Sequence, residues 1–280
     1  MRFALTALLW LFTTATLAVA VPTTWAQVHV VDVNGYTAMA RLAAGDPELQ
    51  TAVASELATR ATVLISQHGY RVDSARVHGV AVDYTAGPDF PSQFADANRV
   101  AHDWMFTGAH TQSEGDQWVV DLAGMLKDSA FASLLTAYHV QVPDTVRVPV
   151  TVSTSKMLRP GELQLLNRWG LWASIGVTVW AGIGALLTLA AARSRGRALA
   201  GLGISALLAG AAGWIGIEVA RRRIDDTLND TTGDIRRIAD VMIGQARSGL
   251  HHWLDLTLAV GGGLVVLGAL AALLGSLRKS

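Results

Sequence analysis

The sequence predicts an α-helical membrane protein: four transmembrane helices plus a mainly helical α+β extracytoplasmic domain with a small sheet. Three observations carry this. Phe3–Val21, Trp169–Ala192, Ala198–Ile217 and Leu256–Leu277 contain no charged residue. At about 1.5 Å rise per residue, each covers the roughly 30 Å hydrocarbon core of a bilayer. The block between the first and second stretches is polar, long enough for a domain of its own, and mixes helical with alternating patterns. The expected layout is a first transmembrane helix at 1–25, an extracytoplasmic domain at 26–165 and a three-helix bundle at 166–280. Within the last, 221–253 forms an outer helical connection.

Composition narrows the function classes. The 280 residues carry a formal net charge of zero, which gives no case for nucleic acid as a partner. There is no cysteine, which removes thiol catalysis, disulfides and thiolate metal sites together. Arginine far outnumbers lysine among the 22 basic residues, and alanine, valine and glycine are abundant. That bias is the mark of GC-rich coding and points to a high-GC bacterium, in whose plasma membrane the spans are expected to lie.

The first stretch has two readings. Arg2, the apolar run Phe3–Leu17 and Ala18-Val19-Ala20 match the parts of a signal peptide. The run exceeds the usual apolar core of about 7–15 residues, and removal would leave an odd number of spans. A retained helix is therefore expected. Arg193, Arg195 and Arg197 crowd a connection without acids, and Arg2 and Arg278-Lys279 fall on the same side. The positive-inside rule places that side, and both termini, in the cytoplasm. Arg221, Arg222, Arg223, Arg236, Arg237 and Arg247 on the opposite side weigh against this, since the nearby aspartates count little in the rule.

In the polar block, Tyr36, Met39, Leu42, Leu49, Val53, Leu57, Val63 and Leu64 predict helices up to about Gln67, with Asp46 as an N-cap and Pro47 at the first helical position. Val77–Tyr84 alternates and predicts a strand, followed by a loop through Pro91. Ser92–Phe106 predicts a helix burying Phe94, Val100, Ala101 and Trp104. Trp118–Leu122 predicts a strand and Ala130–Tyr138 a helix. Val146, Val148, Val150 and Val152 alternate as a strand that Pro149 confines to an edge. Pro160-Gly161 opens the helix leading into the second span.

The later spans carry small residues four apart: Ser205, Ala209 and Gly213 with Ala206 and Gly210 in the third, and Gly268, Ala272 and Ser276 in the fourth. Such faces let helix backbones approach closely, within a bundle or at an oligomer or partner interface. The expected partners are membrane lipids, plus a protein partner or homo-oligomer through these faces. No ionisable residue and no proline lies inside the apolar stretches, so the midplane features of coupled carriers are missing. Glu218 lies three and four residues from Arg221 and Arg222, a spacing suited to interfacial ion pairs. Between the third and fourth spans, Ile224, Leu228, Ile235, Ile238, Met242, Leu250 and Trp253 recur at helical spacing around the break Asn229–Gly233. The third helix is expected to reach about residue 228 and the next to start near 232. Its apolar stripe should pack on the large domain or, failing that, on the membrane surface.

Asp32-Val-Asn-Gly-Tyr36, Leu42-Ala-Ala-Gly-Asp-Pro-Glu-Leu-Gln50, Phe94-Ala-Asp-Ala-Asn-Arg-Val-Ala-His102 and Trp118–Leu122, in this layout, resemble a family of uncharacterised actinobacterial integral membrane proteins. The resemblance covers nearly the whole chain. It implies an extracytoplasmic domain between the first and second spans, and no activity. The family usually has an acidic residue near position 34, where this chain has Asn34.

For catalysis, the best polar set is Asn98, His102 and Asp103. Asn98 and His102 share a helix face, and a histidine near a carboxylate suits general-base work. Adjacent helix positions diverge, however, so Asp103 is badly placed to orient His102. Fixing this helix to its domain is the plainer role. His29, His68, His78, His102, His110 and His139 lack metal-site spacing, and the adjacent His251 and His252 diverge by about 100° on a helix. Asp225–Asp234 lacks the calcium-loop pattern. No cofactor or metal is expected. The expectation is a non-enzymatic cell-envelope scaffold or accessory subunit. The alternatives are a lipid or envelope-precursor binding protein assisting export and, behind it, a membrane-attached hydrolase.

Overall fold

The computed structural model describes residues 2–107, 119–149, 163–192, 194–228 and 233–277. In chain order the elements are α1 (Arg2–Ala26) with a π-helical turn (Gln27–Val31), α2 (Val33–Ala43), α3 (Pro47–Gln67), α4 (Ser74–Thr85) and α5 (Phe90–Thr107). Then come β1 (Val119–Asp121), α6 (Ala123–Leu126), α7 (Ser129–Ala137), β2 (Arg147–Pro149), α8 (Gln164–Ala191), α9 (Arg195–Leu228) and α10 (Gly233–Leu277). Four of these helices are long and apolar enough to cross a membrane, so the chain fits a multi-pass membrane protein. The chain divides into two compact units. One holds Met1–Val28, Arg168–Arg223 and Arg247–Ser280, and the other His29–Asn167 and Ile224–Ala246.

The first unit is a helix bundle. Lipid is as apolar as leucine, so its helices must be joined by close packing and hydrogen bonds. Gly196, Gly203 and Gly210 recur every seven residues along α9, the spacing of left-handed helix pairs. They face α10 in antiparallel order. A Cβ at Gly196 would lie 2.6 Å from the Ala272 nitrogen, and one at Gly203 would lie 2.6 Å from the Gly261 carbonyl oxygen. Gly268 answers Gly196, and Gly261 answers Gly203. Further along, Gly213 receives Leu254, which is wholly buried, and Trp214 stacks on His251 with ring centroids 4.0 Å apart. The α1 helix adds polar joints: Trp10 Nε1 donates to the Gly201 carbonyl at 2.8 Å and the Thr14 hydroxyl to Ser205 Oγ at 2.8 Å. Against α8, Thr13 occupies the space over Gly184, and Phe12 meets Trp180 edge-on. The helix runs past the predicted stretch and includes Pro22. Pro22 lacks the N–H that would bond Ala18, a loss membrane helices tolerate.

The second unit is helical throughout its core. Aspartates start its helices: Asp32, Asp46, Asp73 and Asp128 cap α2, α3, α4 and α7, each carboxylate accepting a backbone N–H at 2.8–2.9 Å. Gly69, at φ 83°, closes α3, with Tyr70 N–H reaching the Ile65 carbonyl. Leu49, Leu57, Ile65, Val77, Phe90, Leu126, Phe131 and Leu135 are fully buried. Tyr84 meets Phe90 and Phe131 edge-on at 5.7 and 5.5 Å. A polar chain crosses this cluster. Tyr84 O–H donates to Gln93 Oε1 at 2.6 Å, and Gln93 Nε2 donates to Asp128 Oδ2 at 2.8 Å. Ile235, Ile238, Val241 and Met242 of α10 pack on the same core.

The α+β expectation for this domain is overturned; the domain is α-helical. Val77–Tyr84 is helix α4, because Asp73 caps it and its buried positions, Val77, Ala81, Tyr84 and Thr85, follow the helical period rather than alternation. Among the described residues the sole extended pairing joins Val119↔Pro149, Val120↔Val148 and Asp121↔Arg147. Three residues a side is too short to form a sheet layer. Asp121 Oδ1 pins its end, accepting N–H from Ala123 and Val146. Other departures are local. Helix α5 begins at Phe90, inside the expected loop, and Val100 is exposed. Trp118, Val150, Val152, Pro160-Gly161, Asn229–Thr232 and the Arg278-Lys279 tail lie outside the described residues, as do the side chains of Trp104, Ile224, Leu228 and Ser276.

Two predictions follow from the packing. Gly203→Leu should lower the melting temperature of the detergent-solubilised protein sharply, since the side chain has no space against α10. Gly263→Leu, where a Cβ meets nothing within 4 Å, should leave it nearly unchanged. Phe131→Ala should cost about 3–5 kcal/mol in denaturant unfolding of the full-length protein.

Candidate functional site

The polar set on α5 is built on one helix face. Asn98, His102 and Phe106 follow at intervals of four, so they stack along the same side. That side packs on α2, which brings Tyr36 against His102 with ring centroids 5.1 Å apart. Phe106 stacks on the imidazole at 4.4 Å. The ring is 3 % exposed. Its Nε2 lies 3.0 Å from the Val30 carbonyl oxygen in the π-helical turn. A carbonyl only accepts, so Nε2 carries the proton and donates. In the neutral ring, Nδ1 is then the basic atom. It is buried without a hydrogen bond, and the Asp103 carboxylate stands 3.9 Å away.

Asn98 is spent nearby. Its Nδ2 donates to the Phe94 carbonyl at 2.9 Å, and its Oδ1 accepts from Tyr36 O–H at 3.4 Å, a long bond. Burial pushes the Tyr36 phenol up to about 12. Tyr84, in the core, is also pushed up, first by burial and then by the negative charges of Asp128 and Asp89.

The structure thus brings Asn98 and His102 together with Tyr36, Phe106 and the Val30 carbonyl, and leaves Asp103 half-exposed at the edge. This is the geometry of a joint. It ties the turn after α1 to α5, with Tyr36 of α2 wedged beside it. Sequence reasoning missed Tyr36 and Phe106 as partners. The Asn98–His102–Phe106 spacing held the signal for Phe106, and nothing local held it for Tyr36.

The other histidines disperse. His68 Nδ1 contacts the Leu64 carbonyl at 2.9 Å on its own helix, His78 is exposed, and His139 sits at φ 52° after α7. His110 lies outside the described residues. Among the described residues no three histidine or carboxylate groups converge as metal ligands. Glu218 pairs with Arg221 at 3.2 Å and Arg222 at 3.7 Å, and all three are exposed, where solvent screens such pairs.

A concavity lies within the bundle. Thr6, Ala7 and Trp10 of α1, Thr188, Ala190 and Ala191 of α8, Ala192 and Ser194 after it, and Arg197, Ala198 and Gly201 of α9 line a space of about 890 Å³. Such a volume falls in the range of small-molecule sites, about 300–1,000 Å³.

No protein-family model, curated protein or solved structure matches this chain.

Two measurements check the joint. Phenolate absorbance in an alkaline titration should show a fraction appearing near pH 12 that Tyr36→Phe removes. A phenol whose pKa rises on folding stabilises the fold fully below its unfolded value of about 10. That contribution disappears as pH climbs from about 10 through 12, so Tyr36→Phe should flatten the stability loss across that window. His102→Ala should cost about 2–4 kcal/mol in denaturation, from the lost ring and the orphaned Val30 carbonyl.

Proposed function

We propose that the chain is a non-enzymatic cell-envelope protein, a scaffold or accessory subunit acting through the domain at 26–165. In this reading both termini lie in the cytoplasm, the domain faces outward from a bacterial plasma membrane, and the chain belongs with the actinobacterial proteins it resembles. The observation that carries the reading is His102. One ring nitrogen is committed to the Val30 carbonyl and the other is sealed from solvent. A general base needs its lone pair within reach of a substrate proton, or of one water. The most reactive-looking residue of the domain is thus occupied with holding the fold, which favours a surface that binds over one that catalyses.

The helical core supports the same reading. A domain stapled by aspartate caps and an aromatic cluster offers a rigid body on which a partner can dock without reordering it. The test is chemical cross-linking in native membranes with the tagged full-length protein, followed by mapping of the linked peptides. The expected result is an envelope protein joined at positions within 33–149. Cross-links confined to the membrane bundle, or only to copies of the chain itself, would overturn the assignment of binding to this domain.

A further inference from the structure

We infer that the space between α1, α8 and α9 is a binding site for an anionic phospholipid, whose phosphate Arg197 holds. This goes beyond the scaffold reading and stands whether or not that reading does. Two features carry it, and both lie inside the bundle unit. The first is the cavity itself, about 890 Å³. Its walls are largely apolar, Ala7, Ala190, Ala191 and Ala198 beside the Trp10 ring, while Thr6, Ser194 and Arg197 give it polar groups. That mixture suits a molecule with hydrocarbon at one end and an oxyanion at the other.

The second feature is charge. Arg197 lines the cavity, is exposed, and forms no ion pair among the described residues. The connection it belongs to reads Ala192-Arg193-Ser194-Arg195-Gly196-Arg197 and has no acid. A guanidinium offers forked donors that match phosphate oxygens, and basic pockets between membrane helices recruit anionic headgroups. Ser194 already caps α9, its Oγ accepting the Arg197 backbone N–H at 3.5 Å, so the Arg197 backbone is held while its side chain stays available. Trp10 is likewise fixed by its bond to the Gly201 carbonyl, which leaves the indole face as a wall.

The source is committed to lipid rather than free phosphate because most of the lining beyond the arginine is apolar. A soluble anion would leave that surface unfilled.

Native mass spectrometry of the full-length protein tests this, after reconstitution with phosphatidylglycerol or phosphatidylcholine. The wild type should retain one phosphatidylglycerol per chain and little phosphatidylcholine. Arg197→Gln should lower that retention about tenfold, the loss expected of one charge-assisted hydrogen bond. Ala190→Phe, which narrows the space, should lower it further, while Arg71→Gln, in the other unit, should not. Circular dichroism and gel filtration identify any variant that has simply unfolded. Photo-cross-linking of wild-type protein with a diazirine phosphatidylglycerol then supplies a readout free of substitution, with label expected on the Trp10 or Ala190 peptides. Equal retention of both lipids, retention unchanged in Arg197→Gln, or label absent from those peptides would overturn the proposal. So would displacement of the bound lipid by millimolar inorganic phosphate, which would mark a site for a soluble anion.

Discussion

The bundle depends on one constraint, the backbone approach of α9 to α10. Two helices in hydrocarbon gain nothing from hiding apolar side chains, so attraction must come from contact area and from freed lipid. Glycine supplies contact by removing the side chain altogether. The reciprocal pairs Gly196–Gly268 and Gly203–Gly261 set two contact points seven residues apart on each helix, which fixes register as well as distance. With α9 so placed, its remaining faces present Gly201 and Ser205 to Trp10 and Thr14 of α1. The polar joints therefore follow from the glycine seam rather than competing with it.

The helical unit is organised by a different economy. Its helices α2, α4 and α7 are short, so their ends make up a large share of their hydrogen bonding. Aspartate at four N-termini satisfies those ends locally. The interior can then be aromatic and aliphatic, with polar groups admitted where they form a complete chain. His102 departs from this logic, with one ring nitrogen bonded and the other buried without a hydrogen-bond partner. It donates once, to Val30, and packs against the rings of Tyr36 and Phe106. The Asn98–His102 face is, in space, where α5 meets α2 and the turn after α1.

Much of this was legible in the sequence. The apolar stretches, the α3 start at Asp46-Pro47, the reach of α9 to Leu228 and the start of α10 at Gly233 all rest on local chemistry, which sequence states directly. The failures have physical causes too. In Val77–Tyr84, valines separated by small residues imitate alternation. The decision in favour of helix came from Asp73 and from a core that takes Val77, Ala81 and Tyr84 on one side. Along α9, the small residues Ala206, Gly210 and Gly213 singled out in the sequence do meet α10, as do Gly268 and Ala272 from the other side, but Gly196 and Gly203, which carry the contact on at seven-residue spacing, were missed. Their part depends on which helix is the neighbour. Of the candidate site, the Asn98–His102 face was readable. The Val30 and Tyr36 contacts were not, because they join segments some seventy residues apart.

The chain Tyr84–Gln93–Asp128 has a bearing on the lifetime of the molecule. Its amide stands in one orientation, since the phenol must donate to oxygen and the carboxylate must receive from nitrogen. No charged analogue of the same shape serves both ends. Hydrolysis of the Gln93 amide to a carboxylate changes the mass by about one unit, too little to notice by size. Yet it would set two negative groups at the 2.8 Å now spanned by a hydrogen bond. Chemical ageing at this single side chain would thus loosen α4, α5 and α7 together, in a sample whose size and composition look unaltered.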